Sequence, residues 1–112
     1  EESVQSIANV CRVDLEIEWT QPFAANENGD DMVNLVEKVA HQNGIKYHEL
    51  SSPLRFGEDF GLFTQRFKGV MFGLGAGLET PALHNPDYDF PDELISVGTS
   101  MMMGLIHSIL DS

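Results

Sequence analysis

Three side chains with metal-ligating chemistry bracket one organised stretch: Glu58 and Asp59 at its start, His84 at its end. Two carboxylates and an imidazole are ligand types for zinc and the metals near it. Between them runs an amphipathic segment from Leu62 to Phe67, then the charge-free run Val70-Met71-Phe72-Gly73-Leu74, then the loop Gly75-Ala76-Gly77. An acidic pair, a helix, a buried strand, a glycine-rich loop and a histidine among turns can bring three such groups to one end of a sheet, where α/β proteins hold ligands. Spacing alone does not make a metal motif. Acidic residues in a helix's first turn also cap it and complement its dipole, and a single loop histidine without partners is not a site.

The elements that would position these groups can be read from periodicity. Val4, Ile7, Ala8 and Cys11 share one helical face, which predicts a short helix with Cys11 buried and inert. Val13 to Trp19 alternates apolar and polar residues, the pattern of a half-buried strand with Val13, Leu15, Ile17 and Trp19 inward. Pro22, Asn26, Asn28 and Gly29 mark a linker, in which Asn26 reads as a turn or cap residue. Asp30 or Asp31 caps a helix carrying Met32, Leu35, Val36 and Val39 on one face, with Gly44 as its stop and His41 near its end. A short strand over Ile45 to Leu50 follows, holding His48 without a recognisable partner.

Glu58 and Asp59 are predicted to open a helix reaching Phe67, and Val70 to Leu74 reads as a buried strand. Gly73, Gly75 and Gly77 do not suit a phosphate-cradling loop. Glu79, Thr80 and Pro81 follow where a helix is required, and no Lys or Arg is near. Pro91 starts a final helix, with Leu94, Val97, Met101, Leu105 and Ile109 along one face and His107 near its end. Its apolar surface is broad enough to want more partner than the chain offers, although no run is read as reaching membrane-span length.

The 112 residues hold 6 Lys plus Arg against 18 Asp plus Glu, a formal net charge of −12. That balance argues against nucleic acid and against an anionic membrane as partners, since both are attracted by basic patches. The single cysteine excludes an internal disulfide.

Gly57-Glu58-Asp59-Phe60, Gly69 through Gly77, Leu83-His84-Asn85-Pro86-Asp87-Tyr88-Asp89-Phe90 and the Gly/Met-rich last helix together resemble the carboxy-terminal part of the M20 metallopeptidases, a family that includes aminoacylases and related amidohydrolases. The likeness runs from about Asn26 to Leu110, and residues 1–20 resemble the end of that family's lid, or dimerisation, domain. It implies an α/β fold: residues 21–112 as the carboxy-terminal part of a three-layer αβα, zinc-exopeptidase-like catalytic domain, and residues 1–20 as a helix and edge strand of the lid. It implies that His84 is a metal ligand, that Glu58 and Asp59 lie near the active site, and that Gly75, Ala76 and Gly77 form a substrate-binding loop. The cofactor would be a divalent metal, two zinc ions per site in the full-length family, with manganese or cobalt as the other options. The implied substrate is an N-acyl amino acid or small peptide whose amide bond is hydrolysed by metal-activated water. A homo-oligomeric protein of the cytoplasm is the implied setting. The family's bridging Asp and its Glu general base have no counterpart in the sequence, and Glu1-Glu2 is wrongly placed for one. The expectation is therefore a fragment that is inactive alone. A small acidic α/β binding module without catalysis is the other reading, and it needs none of the missing groups.

Overall fold

The computed structural model describes residues 1–111 and contains four helices: α1 (Glu2–Cys11), α2 (Asp30–Gln42), α3 (Gly61–Thr64) and α4 (Glu93–Leu110). The core lies where α2 meets α4. Val36, Val39, Ala40 and Met101 are buried there, and Leu35, Ile45, Tyr47, Val70, Phe72 and Leu105 pack around them. The α2 stripe expected from the sequence thus contributes to the core and the glycine stop appears, but Gly29 is the N-cap, and Asp30 and Asp31 lie in the first turn without capping it.

The α2 end shows why the helix stops. Gly44 takes the left-handed conformation, φ 67. Its N–H donates to the His41 carbonyl at 3.1 Å, and the next N–H, of Ile45, reaches back to Ala40 at 2.8 Å. This paired closure satisfies two carbonyls the helix leaves over, and it folds Ile45 onto the core. On α4 the close approach is made by Gly104. A Cβ there would fall 2.6 Å from Val39 Cγ1, so only glycine lets the two helices come this near.

The predicted three-layer sheet is overturned: among the described residues there is no strand at all. Neither the lid edge strand at Val13 to Trp19 nor the runs Ile45 to Leu50 and Val70 to Leu74 form a ladder. A helix closes its hydrogen bonds within itself, but a strand exists only through a neighbour. Val13 to Trp19 has one backbone bond, from Val13 N–H to the Ala8 carbonyl at 3.1 Å, and Val13, Ile17 and Trp19 stay exposed. The alternation is present; the partner that would turn it into a strand is not.

Three further expectations are corrected. Cys11 is exposed, because nothing packs on the far side of α1, where only Ala8 is buried. The helix predicted from Glu58 shrinks to Gly61–Thr64, so Glu58 and Asp59 precede its first turn and no side chain caps it. With 18 residues and an apolar composition, α4 does reach the length and composition of a membrane-spanning helix; in this structure it packs Met101 against α2.

The molecule is open. Its radius of gyration is 19.8 Å, against about 13 Å for a compact chain of this length. Val4, Ile7 and Val10 of α1, and Ile95, Met102, Ile106 and Ile109 of α4, are exposed.

Candidate active-site surface

Beside the helix pair lies a groove of about 730 Å³. Val36 of α2, Tyr47, Val70 and Phe72 form its apolar floor, and Asn26, Asn28, His48 and Glu58 supply polar groups on its walls. Gly57 seats Glu58 by lying flat against Phe23: a Cβ at Gly57 would sit 2.4 Å from the Phe23 ring. Asp59 is outside the groove and gives its backbone carbonyl to Leu62 N–H at 3.0 Å, opening α3.

His84 stands apart from this groove, exposed within the turn closed by Asn85 N–H to the Ala82 carbonyl, which a second turn, Tyr88 N–H to the Asn85 carbonyl, follows, both 3.0 Å. Its backbone is left-handed, φ 73. Few non-glycine residues adopt that region, and holding one there costs about 1–3 kcal/mol. The Gly75-Ala76-Gly77 loop is closed by Thr80, whose Oγ1 donates to the Ala76 carbonyl at 2.6 Å, while Gly77 turns at φ 99. Gly73 and Gly75 face open space.

The sequence layout suggested that Glu58, Asp59 and His84 meet. Among the described residues, no three His, Cys, Asp or Glu side chains stand close enough to hold a metal ion. Glu58 lines the groove, Asp59 serves the α3 turn and His84 sits in its own loop. A metal centre needs three or four ligands, and the described residues do not assemble that number around His84.

A polar network that the sequence did not signal lies along the groove. Asn28 Nδ2 donates to the Met71 carbonyl and Asn28 Oδ1 accepts from Met71 N–H, each at 2.9 Å. Asn26 Nδ2 donates to the same Asn28 oxygen at 3.1 Å, and Asn26 Oδ1 accepts from Thr64 Oγ1 at 3.3 Å. Gly29 N–H adds a backbone bond to the Gly69 carbonyl at 3.0 Å. Asn26 is thus a bridge between the linker and α3 rather than a turn or cap residue. Only the Asn-x-Asn spacing ahead of α2 is visible in the sequence, and it does not name partners some forty positions away.

The other charged groups are at the surface. Lys68 Nζ pairs with Asp31 Oδ2 at 2.6 Å. That hydrogen bond holds the Asp31 carboxyl below its ordinary range and the Lys68 ammonium above its own. His41 lies 3.6 Å from Glu37, one turn back on α2, and both are exposed to solvent.

The chain is similar to N-acetyldiaminopimelate deacetylases of Streptococcus pneumoniae: 28% identical over 105 residues to that of strain Taiwan19F-14, which covers 91% of this chain and 27% of the relative. The proteins of strains Hungary19A-6 and CGSP14 are 27% identical over the same length and share of each chain. The chain spans about a quarter of the length of these curated relatives. No solved structure matches it. The family described as peptidase family M20/M25/M40 matches residues 2–108, and with nearly the whole sequence inside that match, the chain belongs to this family.

Proposed function

We propose that this chain is the carboxy-terminal part of a metal-dependent amidohydrolase that removes the acyl group from an N-acylated amino acid, an acetyl group in the first instance. The observation that carries this reading is the family match over residues 2–108, joined to deacetylase relatives of which the chain spans 27%. The chain's own contribution would be limited. His84 would supply one metal ligand, with the remaining ligands and the proton-accepting carboxylate coming from outside the described residues. Its left-handed backbone supports such a role, since strained residues concentrate at functional sites. Glu58 would stand on the wall of the groove and Gly75 to Gly77 would border the substrate. Residues 1–20 would belong to the lid and residues 21–112 to the catalytic part. Copies would associate through the exposed apolar faces of α1 and α4, and the setting would be the cytoplasm.

The test compares two preparations in hydrolysis of a panel of N-acetyl amino acids with zinc, manganese or cobalt supplied. The 112-residue chain alone is expected to be inactive. The native polypeptide that contains it, captured from its source with antibody to the chain, is expected to release acetate and to lose that activity to a chelator. His84→Ala in the native polypeptide is expected to lower activity by about 100-fold or more, in proportion to lost metal. Turnover by the chain alone, or full activity of the native polypeptide carrying His84→Ala, would overturn the reading.

A further inference from the structure

We propose that Asn28 is a positioning residue, whose side-chain amide stands in for the peptide group of a neighbouring strand and fixes the run that leads into the Gly75-Ala76-Gly77 loop. Its two bonds to Met71, carbonyl and N–H, are both 2.9 Å. One amide can meet both groups of a residue only where they point the same way, as in extended backbone. Among the described residues these are the only hydrogen bonds made by residues 70–74. All other restraint on the run is apolar: Val70 and Phe72 lie against the core, and Leu74 Cδ1 comes within 3.1 Å of where a Cβ on Gly98 would be.

Apolar contacts resist withdrawal from the core, but they are non-directional and do little against sliding or rotation of the backbone. A bidentate hydrogen bond is directional and fixes both. Asn28 is itself held, because Asn26 donates to its oxygen at 3.1 Å and Thr64 of α3 donates to Asn26 at 3.3 Å. Gly29 N–H to the Gly69 carbonyl, 3.0 Å, secures the entrance to the same run. The linker ahead of α2 and the short helix α3 therefore set where the glycine loop begins. Its interior is tied only locally, by Thr80 Oγ1 to the Ala76 carbonyl at 2.6 Å, with open space at Gly75.

The inference rests on the hydrolase reading only for its kinetic arm. In the 112-residue chain, Asn28→Ala is expected to speed amide exchange at Met71 about tenfold, the effect of losing one net hydrogen bond, with exchange at Val39 in the α2 core unchanged. Asn28→Asp keeps size and shape but turns the donor into a second acceptor facing the Met71 carbonyl, so it is expected to loosen Met71 as well. Unchanged exchange at Met71 in both variants would overturn the proposal. So would equal acceleration at Met71 and Val39, which would make Asn28 a general stabiliser. In the intact hydrolase, both variants are expected to raise KM for an N-acetyl amino acid about tenfold, with kcat within about twofold and metal content unaltered. Faster Met71 exchange with an unchanged KM would overturn the positioning of the loop. An intact protein with no hydrolase activity would sink the functional reading instead, and the exchange data would still decide whether Asn28 holds Met71.

Discussion

The α2–α4 pair and the segment Val13 to Trp19 carry equally clear apolar patterns, and they fare oppositely. Val36, Val39, Ala40 and Met101 are buried, while Val13, Ile17 and Trp19 are exposed. Helices bring their hydrogen bonds with them and need only a face to cover. A strand needs both a face and an edge, so its pattern is a conditional statement about a neighbour. An apolar stripe therefore predicts burial only where its covering surface lies in the same chain.

The sharpest way to break this comparison is at Met101. Met101→Ala opens a cavity beside α2 and is expected to cost about 2–5 kcal/mol, seen as a lower urea midpoint. Ile17→Ala, equally apolar but 41% exposed, is expected to change the same midpoint by less than about 0.5 kcal/mol. If the two costs came out alike, Val13 to Trp19 would be packing as a strand after all.

Gly104→Ala comes next. Alanine favours a helix by about 1 kcal/mol over glycine, but here its Cβ would fall 2.6 Å from Val39 Cγ1, an overpacking cost of about 1–3 kcal/mol. A lowered thermal midpoint is expected. A raised one would mean the helices separate without loss.

These contrasts explain what the sequence made legible. The α2 helix could be read almost to the residue, because Asp30, Asp31, the Val36/Val39 stripe and Gly44 are local signals. The three runs read as strands could not be confirmed from within, since pairing is a property of two segments. Cys11 failed for the same reason: its stripe was real, and nothing covers it. At the candidate site, Glu58 and His84 were visible as residue types but their separation was not, because the turns from Pro81 to Pro91 set it. Asn28 and Asn26 gave no sign of their partners, since a side-chain amide reaching 43 positions along the chain leaves no periodic trace.

The smallest effect is expected at Asp31 and Lys68, an exposed ion pair. Asp31 is held below its ordinary value of 3.8, so its contribution is present above that pH and is lost as pH falls through the lowered value. Lys68 is raised above 10.5, so its contribution is complete below that pH and is lost as pH rises through the raised value. Between these limits stability is expected to be flat with respect to this pair, and Lys68→Ala should matter less in high salt than in low salt.

Trp19 gives the open shape an optical consequence. It is the only tryptophan in the sequence, it is 69% exposed, and its indole N–H donates to Glu1 Oε1 at 2.6 Å. Its emission therefore reports on the first twenty residues, whereas far-ultraviolet circular dichroism is dominated by α2 and α4, the two longest helices. In a urea titration the fluorescence change should precede the loss of ellipticity, and non-coincident curves would mark two units that melt separately along one chain.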